Sequence, residues 1–238
     1  MTAGFRDRLS DGRRAMAHLI HVWHERNGWS HKVLPALAES LDLGRVHNSQ
    51  ISNLRNGKLA APGPEAFLAL GQSNAVLYKG IKEIQDLLLD IHPELLKVLL
   101  ESAIPLQDDT GKPISAGQFF EIFIGLIPLP ASFDWFIEED EAIGLSAALS
   151  EFFCHGRQWR QCRDEVLQVY PVKKLQRRER FASVMAGLRD YTAEELDGEL
   201  FDLYSAYTAL GGRGLSGANE FLKDLRLRAE ILKVEPKI

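Results

Sequence analysis

Apolar residues return along this chain at helical spacing. Met16, Leu19, Ile20 and Trp23 stand at i, i+3, i+4 and i+7, one face of a helix. Ser10 or Asp11 can cap that helix, and Asn27-Gly28 is a stop signal. A proline suits the first turn of a helix, where its missing N–H has no partner to lose. A second helix is therefore expected from near Pro35 to Leu41, with Leu37, Ala38 and Leu41 inward and Gly44 in the connection beyond. Asn48 is the expected cap of a third helix, its amide oxygen accepting from backbone N–H groups ahead. Ile51 and Leu54 face inward, and Gly57 ends the helix in the left-handed conformation that glycine takes at no steric cost. The loop LAAPGP leads to a fourth helix opened by Pro64, with Phe67, Leu68, Leu70 and Leu77 as core candidates.

The remainder reads as helix after helix. Periodic segments cover 80–91 and 93–103, and 104–114 is a polar turn. Residues 115–127 are apolar on nearly every side, which marks a buried helix or, as the second choice, a strand. Further helices are expected near 138–150, 151–169 and 172–189. Thr192 with Glu195 matches a capping box, and its helix carries Leu196, Leu200, Leu203, Tyr204 and Tyr207. The glycine-rich GGRGLSG is a turn, and Ser216 caps a last helix running to about Lys233. No alternating strand pattern and no internal repeat is present. The expected fold is all-α, with a four-helix module at 1–78 and a larger helical domain at 79–238.

Charge also divides the chain, near residue 62. Net charge is −5, but residues 1–62 hold nine Lys/Arg and five Asp/Glu, a balance of +4, and five of the seven histidines. The rest carries −9. A basic head on an acidic body suits a module that faces a polyanion. Two cysteines, Cys154 and Cys162, cannot make a disulfide framework, so a reducing compartment is expected. The N-terminus lacks the apolar core of a leader, and no apolar run is long enough to span a membrane, so cytoplasmic residence is expected.

The third helix carries the candidate chemistry. Ser49, Gln50, Ser52 and Asn53 lie opposite Ile51 and Leu54. Gln and Asn can bond an adenine edge bidentately, and Ser can donate or accept at several edges. Asn48 belongs to the same end, while Arg55, Asn56 and Lys58 lie at the far end, where phosphate contacts fix register. Arg13, Arg14, Lys32 and Arg45 are further phosphate candidates. The alternative is a solvated polar face with an ordinary glycine stop.

A longer pattern favours the first choice. Leu37, Ala38, Glu39, Leu41 and Leu43 form L-A-E-x-L-x-L; Ser49 to Lys58 read S-Q-I-S-N-L-R-N-G-K; Pro62 to Leu70 read P-x-P-E-A-F-L-A-L. Together these resemble the lambda-repressor-like, Cro/C1-type helix-turn-helix domain over residues 11–78. Ile51-Ser52, Gly57-Lys58 and Pro64 stand at the places of that family's Ile-Ser pair, Gly-Lys turn and proline-led helix. The connection before the third helix is longer here, and Arg55 stands where many members carry Glu. The resemblance implies sequence-specific binding of double-stranded DNA by a homodimeric transcriptional regulator, whose 79–238 domain dimerises or takes an effector. The alternative is an α-helical adaptor that uses the same fold to bind a protein.

Other clusters point to structure. His18, His21 and His24 could share a helix face, but no cysteine or carboxylate set completes a metal site, and a solvated or DNA-facing stripe is expected. The acidic run Glu138 to Glu141 suits a helix N-terminus. The basic run Lys173 to Arg180 is expected to be an exposed helix face. No nucleophile–base set is legible, so neither catalysis nor a cofactor is expected.

Overall fold

The computed structural model describes residues 4–43, 46–58, 62–80, 92–212 and 217–234. These contain eleven α-helices and no strand; a single bridge pairs Gln107 with Pro113. The helix expected at 80–91, the turn residues Gly44 and Arg45, and the Ser216 cap lie outside the described residues. The chain forms two compact units, Met1–Asp134 and Trp135–Ile238.

The first unit contains α1 (Phe5–Asn27), α2 (Val33–Ser40), α3 (Asn48–Arg55), α4 (Pro64–Lys79), α5 (Pro93–Glu101) and α6 (Ala116–Phe123). Met16, Leu19, Ile20 and Trp23 are fully buried, as their spacing predicts. The helix that carries them starts earlier than Ser10. Gly4 is its N-cap, and Asp7 reaches back to accept from Gly4 N at 3.2 Å. It ends at Gly28, in the left-handed region, as Asn27-Gly28 foretold.

The expected boundary after residue 78 gives way to one after Asp134. Two buried asparagines explain the difference. Asn27 Nδ2 donates to Ile104 O (3.0 Å), while its Oδ1 accepts from Ile104 N (2.7 Å) and Ser102 Oγ (2.8 Å). Asn74 Nδ2 donates to Leu106 O (2.8 Å) and Ile114 O (3.0 Å), and its Oδ1 accepts from Leu106 N (2.8 Å). The indole N–H groups of Trp23 and Trp29 donate to Ile104 O and Ser102 O, each at 3.0 Å. The segment expected to be a polar turn thus places Leu106 and Ile114 in the core, and side chains supply the backbone partners that a sheet would have given.

Helix α6 then lies against α1 and α4 at backbone distance. A Cβ on Gly12 would stand 2.4 Å from Gly125 N, and one on Gly71 would stand 2.3 Å from Ala116 N. Both glycines are therefore places where the helices touch without side chains between them. Phe119 stacks on Trp23, and Phe123 meets Phe67 edge-on. The apolar 115–127 segment is helical only from Ala116 to Phe123, and its Phe120 and Leu126 remain exposed.

The second unit contains α7 (Ala142–Cys154), α8 (Trp159–Val169), α9 (Leu175–Met185), α10 (Ala193–Ala209) and α11 (Ala218–Val234). The break expected near 150 falls instead after Cys154, where His155 (φ 49°) and Gly156 (φ 74°) turn the chain. The capping box is present: Thr192 Oγ1 accepts from Glu195 N, and Glu195 accepts from Thr192 N, each at 3.1 Å. Glu139, from the acidic run, accepts from Ala193 N at the start of the same helix (3.0 Å). Its location favours a carboxylate there, because the first-turn N–H groups have no helical partner.

The basic run 173–180 is not an exposed face. Arg177 is 3% exposed and bonds Asp202 (2.9 Å) and Glu199 (3.4 Å). Arg180 also bonds Glu199, which in addition accepts from the hydroxyls of Tyr170 and Tyr191. Arg178 donates to the Leu167, Tyr170 and Val172 carbonyls and so closes the end of α8. Buried charges of this kind survive because each is paired and hydrogen-bonded.

Two predictions follow from the first unit. Asn74→Ala strands the Leu106 and Ile114 backbone groups in the core and is expected to lower its stability by about 2–4 kcal/mol in chemical denaturation. A wild-type midpoint in that variant rules out the role given to Asn74. The second concerns His18 and His24, both buried and both lowered by burial from 6.5 to about 4. The unfolded chain takes up these protons near 6.5 and the folded chain only near 4, so stability is full above 6.5 and falls as pH drops through that window. Hydrogen exchange in α1 is expected to accelerate steadily from pH 6.5 towards 5, after correction for intrinsic rates; a flat profile contradicts it.

Candidate nucleic-acid interface

Helix α2 buries Val33, Leu34, Pro35, Leu37 and Ala38. It begins two residues before Pro35, which still falls in the first turn, where no N–H is missed. It ends with Asp42 at φ 54°, and Leu43 N returns to Ala38 O at 3.0 Å. A groove of about 360 Å³ follows, lined by Lys32, Pro35, Ala36, Glu39, Val46, His47 and Asn48.

Helix α3 starts at Asn48, but its N-cap is His47. The expected Asn48 cap is corrected by Gln50, whose Oε1 accepts from His47 N at 2.9 Å. A side chain reaching back from the third helical residue does the work assigned to Asn48. Gln50 is thereby fixed in direction. Among the described residues its carbonyl keeps one lone pair, and its NH2 keeps both donors.

Ile51 and Leu54 are buried at 1% and 3% exposure, as expected. Asn48, Ser49, Asn53, Asn56 and Lys58 are exposed, while Gln50, Ser52 and Arg55 are half-buried. Ser49 and Gln50 stand four and three residues before Asn53, so the three share one face of α3. Asn56 Nδ2 donates back to Ser52 O at 2.7 Å. The helix closes with Gly57 N on Leu54 O (3.1 Å) and Lys58 N on Asn53 O (2.8 Å), with Gly57 at φ 65°. This paired closure requires the left-handed residue at Gly57.

Arg55 departs from its expected role at a phosphate. Its Nε donates to His21 Nδ1 (3.2 Å), and its Nη2 pairs with Glu25 Oε1 (3.1 Å). It ties α3 to α1. His21 and Glu25 are i, i+4 on α1, and Arg55 is the only charge within α3. Contacts 30 and 34 residues apart have no local signature.

The histidine stripe is likewise corrected. His18 and His24 are buried, and His24 Nδ1 donates to Ile20 O at 2.7 Å. Helix α1 packs against α3 as well as α6, so its buried arc is wider than one apolar stripe. His21 lies at the edge, against Arg55.

The other cations divide. Arg13 sits over the Phe123 ring at 5.9 Å. Arg14 is 72% exposed beside Asp11, and Lys32 is exposed at the groove. The Gly57 turn lies against Ala17, one helical turn from Arg14, so Lys58 and Arg14 fall at the same end of α3. Arg45 lies outside the described residues.

In the second unit Cys154 and Cys162 are both buried, as small hydrophobes are. Burial first, then the neighbouring Cys162 thiol, pushes Cys154 up to about 11. A thiol so reluctant to ionise is a poor nucleophile.

Residues 6–125 match the model of a family described as a domain of unknown function (DUF8644), and residues 142–236 match a second such family (DUF8645). Each match falls inside one compact unit. No curated protein and no solved structure matches the chain.

The Arg55 clamp generates a test. Glu25→Gln removes a partly screened ion pair of about 1 kcal/mol or less. Hydrogen exchange across Asn48–Arg55 is expected to quicken while the centre of α1 stays protected. Unchanged exchange in α3 would show that the pair does not hold it.

Proposed function

The chain belongs to the family of the domain of unknown function DUF8644, and we propose that its first unit is a double-stranded DNA-binding module of the helix-turn-helix kind. The observation that carries this reading is the arrangement of α3. Two buried apolar residues anchor it, and Ser49, Gln50 and Asn53 share an outer face beside the solvent-facing Asn48 and Asn56. None of the large exposed hydrophobics lies on α3. A polar, amide-rich helix face with lysine at its far end has the donors and acceptors for base edges and a cation for phosphate.

Within this reading Ser49, Gln50 and Asn53 contact bases. Ser52 and Asn48 flank them, Asn56 and Lys58 meet the backbone, and Arg55 is a positioning residue. The protein is a cytoplasmic, non-catalytic transcriptional regulator that binds as a homodimer, because one short helix reads few bases and two-fold pairing doubles the contact set.

A second reading, a protein-binding adaptor, draws on a different surface. Pro62, Pro64, Phe67, Leu68, Ala116, Gly117 and Phe120 line an apolar groove of about 370 Å³ on the first unit. Leu68 and Phe120 are nearly half exposed there. Such a groove suits an apolar peptide and has no use for DNA.

The test is selection of genomic fragments by the purified full chain, followed by titration at several salt concentrations. Salt-sensitive binding with sequence preference is expected. Gln50→Ala with Asn53→Ala is expected to cost about 1–3 kcal/mol per lost bidentate contact and to flatten the preference. Lys58→Ala is expected to weaken all sequences alike and to lower the salt slope by about 1. Absence of DNA retention at low salt defeats the DNA reading and leaves the adaptor.

A further inference from the structure

Helix α7 ends on Cys154, and Cys162 is the fourth residue of α8. On a continuous helix a spacing of eight would set these residues more than two turns apart. The chain turns between them instead. His155 (φ 49°) and Gly156 (φ 74°) are left-handed, and Arg157 N donates to Cys154 O at 2.9 Å. The second helix therefore starts back against the end of the first. Side chains of a helix lean towards its N-terminus. Cys162 does so, with its Sγ 3.7 Å from Gln158 O and 3.6 Å from Trp159 O. That direction makes its thiol the neighbour of the Cys154 thiol.

The two thiols differ in access. Cys162 is wholly buried, while Cys154 is 5% exposed. Cys154 also lines a groove of about 470 Å³, together with Ser150, Glu151, Gly156, Arg157 and Arg228. One thiol of the pair thus meets a small reagent entering the groove, and the other lies behind it. The chain has two cysteines in all, so an internal disulfide has one possible pairing.

We infer that Cys154 and Cys162 are a reversible dithiol–disulfide pair, closed by a low-molecular-weight disulfide such as that of glutathione and opened by the corresponding thiol. Cys154, as thiolate, attacks one sulfur of the reagent. The reagent's S–S bond breaks, and the leaving thiolate takes up the proton that Cys154 released. Cys162 then gives up its own proton and attacks Cys154 Sγ; the mixed S–S bond breaks and a second small thiol leaves. Two protein thiols lose two electrons, and one reagent disulfide becomes two thiols. Burial and the neighbouring thiol hold Cys154 at about 11, so roughly one molecule in ten thousand is ionised at pH 7. Exchange is therefore slow, and the pair follows the lasting redox poise of its surroundings and not a brief pulse. Once closed, the bond staples the corner between α7 and α8 and restricts the unfolded chain.

The experiment equilibrates the purified full chain with mixtures of glutathione and glutathione disulfide at mildly alkaline pH and reads intact mass after alkylation. It starts once from the reduced chain and once from chain refolded in glutathione disulfide, so that slow exchange cannot pass for absence of exchange. As the disulfide fraction rises, the doubly alkylated chain is expected to give way to an unalkylated monomer lighter than the dithiol by two hydrogens. The two starting points are expected to converge, with an unchanged circular dichroism spectrum and a digest in which one linked peptide joins Cys154 to Cys162. Cys162→Ser is expected to stop at the mixed disulfide, with one glutathione on Cys154, and Cys154→Ser to stay unmodified while folded. The wild-type measurements need no substitution, so a variant that fails to fold leaves the test standing. A chain that keeps both thiols at the oxidising end from either start overturns the inference. So does an oxidised species that has lost the native spectrum or is joined between chains, or a folded Cys154→Ser chain that takes glutathione as readily as Cys162→Ser.

Discussion

Two side-chain amides hold the first unit together. Asn27 and Asn74 sit in the core, from α1 and α4, and between them they satisfy the backbone of Ile104 and Leu106 and the carbonyl of Ile114. A connecting segment brought so deep would otherwise leave orphaned polar groups, each costing about 1–3 kcal/mol. With the amides present, the segment becomes a plank across the helices. It delivers Ser115, which caps α6, and α6 then closes against Gly12 and Gly71. The four-helix module therefore does not end at α4. It is built into a larger body by the residues that follow.

That larger body determines what α3 can do. Helix α1 meets α6 by way of Gly12 and meets α3 by way of Ala17, His21 and Glu25. Its interior is consequently wide enough to swallow two histidines. Helix α3 is short, and short helices gain their stability from packing and not from propensity. Its position is fixed by Ile51, Leu54, the Gly57 closure and the Arg55 clamp. The outward amides are held on a surface whose shape is decided elsewhere in the unit.

Local signals were well legible in the sequence. The face Met16, Leu19, Ile20 and Trp23, the inward pair Ile51 and Leu54, the Gly57 stop and the Thr192–Glu195 box all stand in the structure as their spacing implied. These depend on neighbours within a turn or two. Most of what was not legible depended on distant partners. Nothing near Arg177 reveals that Glu199 and Asp202 await it, so a basic run resembled a solvated face. Nothing near Arg55 reveals Glu25. The candidate cap Asn48 was displaced by a residue within the same turn, since a glutamine at the third position competes for the same N-terminal groups. At the candidate site the sequence indicated which residues lie on the outer face of α3, but not that Gln50 and Arg55 are already engaged.

The Asn27-Gly28 step has a consequence for the lifetime of the protein. In an unfolded chain, an asparagine before glycine is open to attack by the following amide nitrogen on its own side-chain carbonyl, which expels ammonia to give a cyclic imide that water then opens to a carboxylate. In the fold that nitrogen donates to Glu25 O, and the Asn27 amide is fully engaged. Folding therefore protects this Asn-Gly step, whereas the chain's other one, Asn56-Gly57, stays on the surface. A chain left open long enough to lose the amide would have to return a carboxylate to a site that needs the amide's donors, in contact with the Ile104 carbonyl. Such a chain has no route back to the same core, and the first unit carries a record of the time it has spent unfolded.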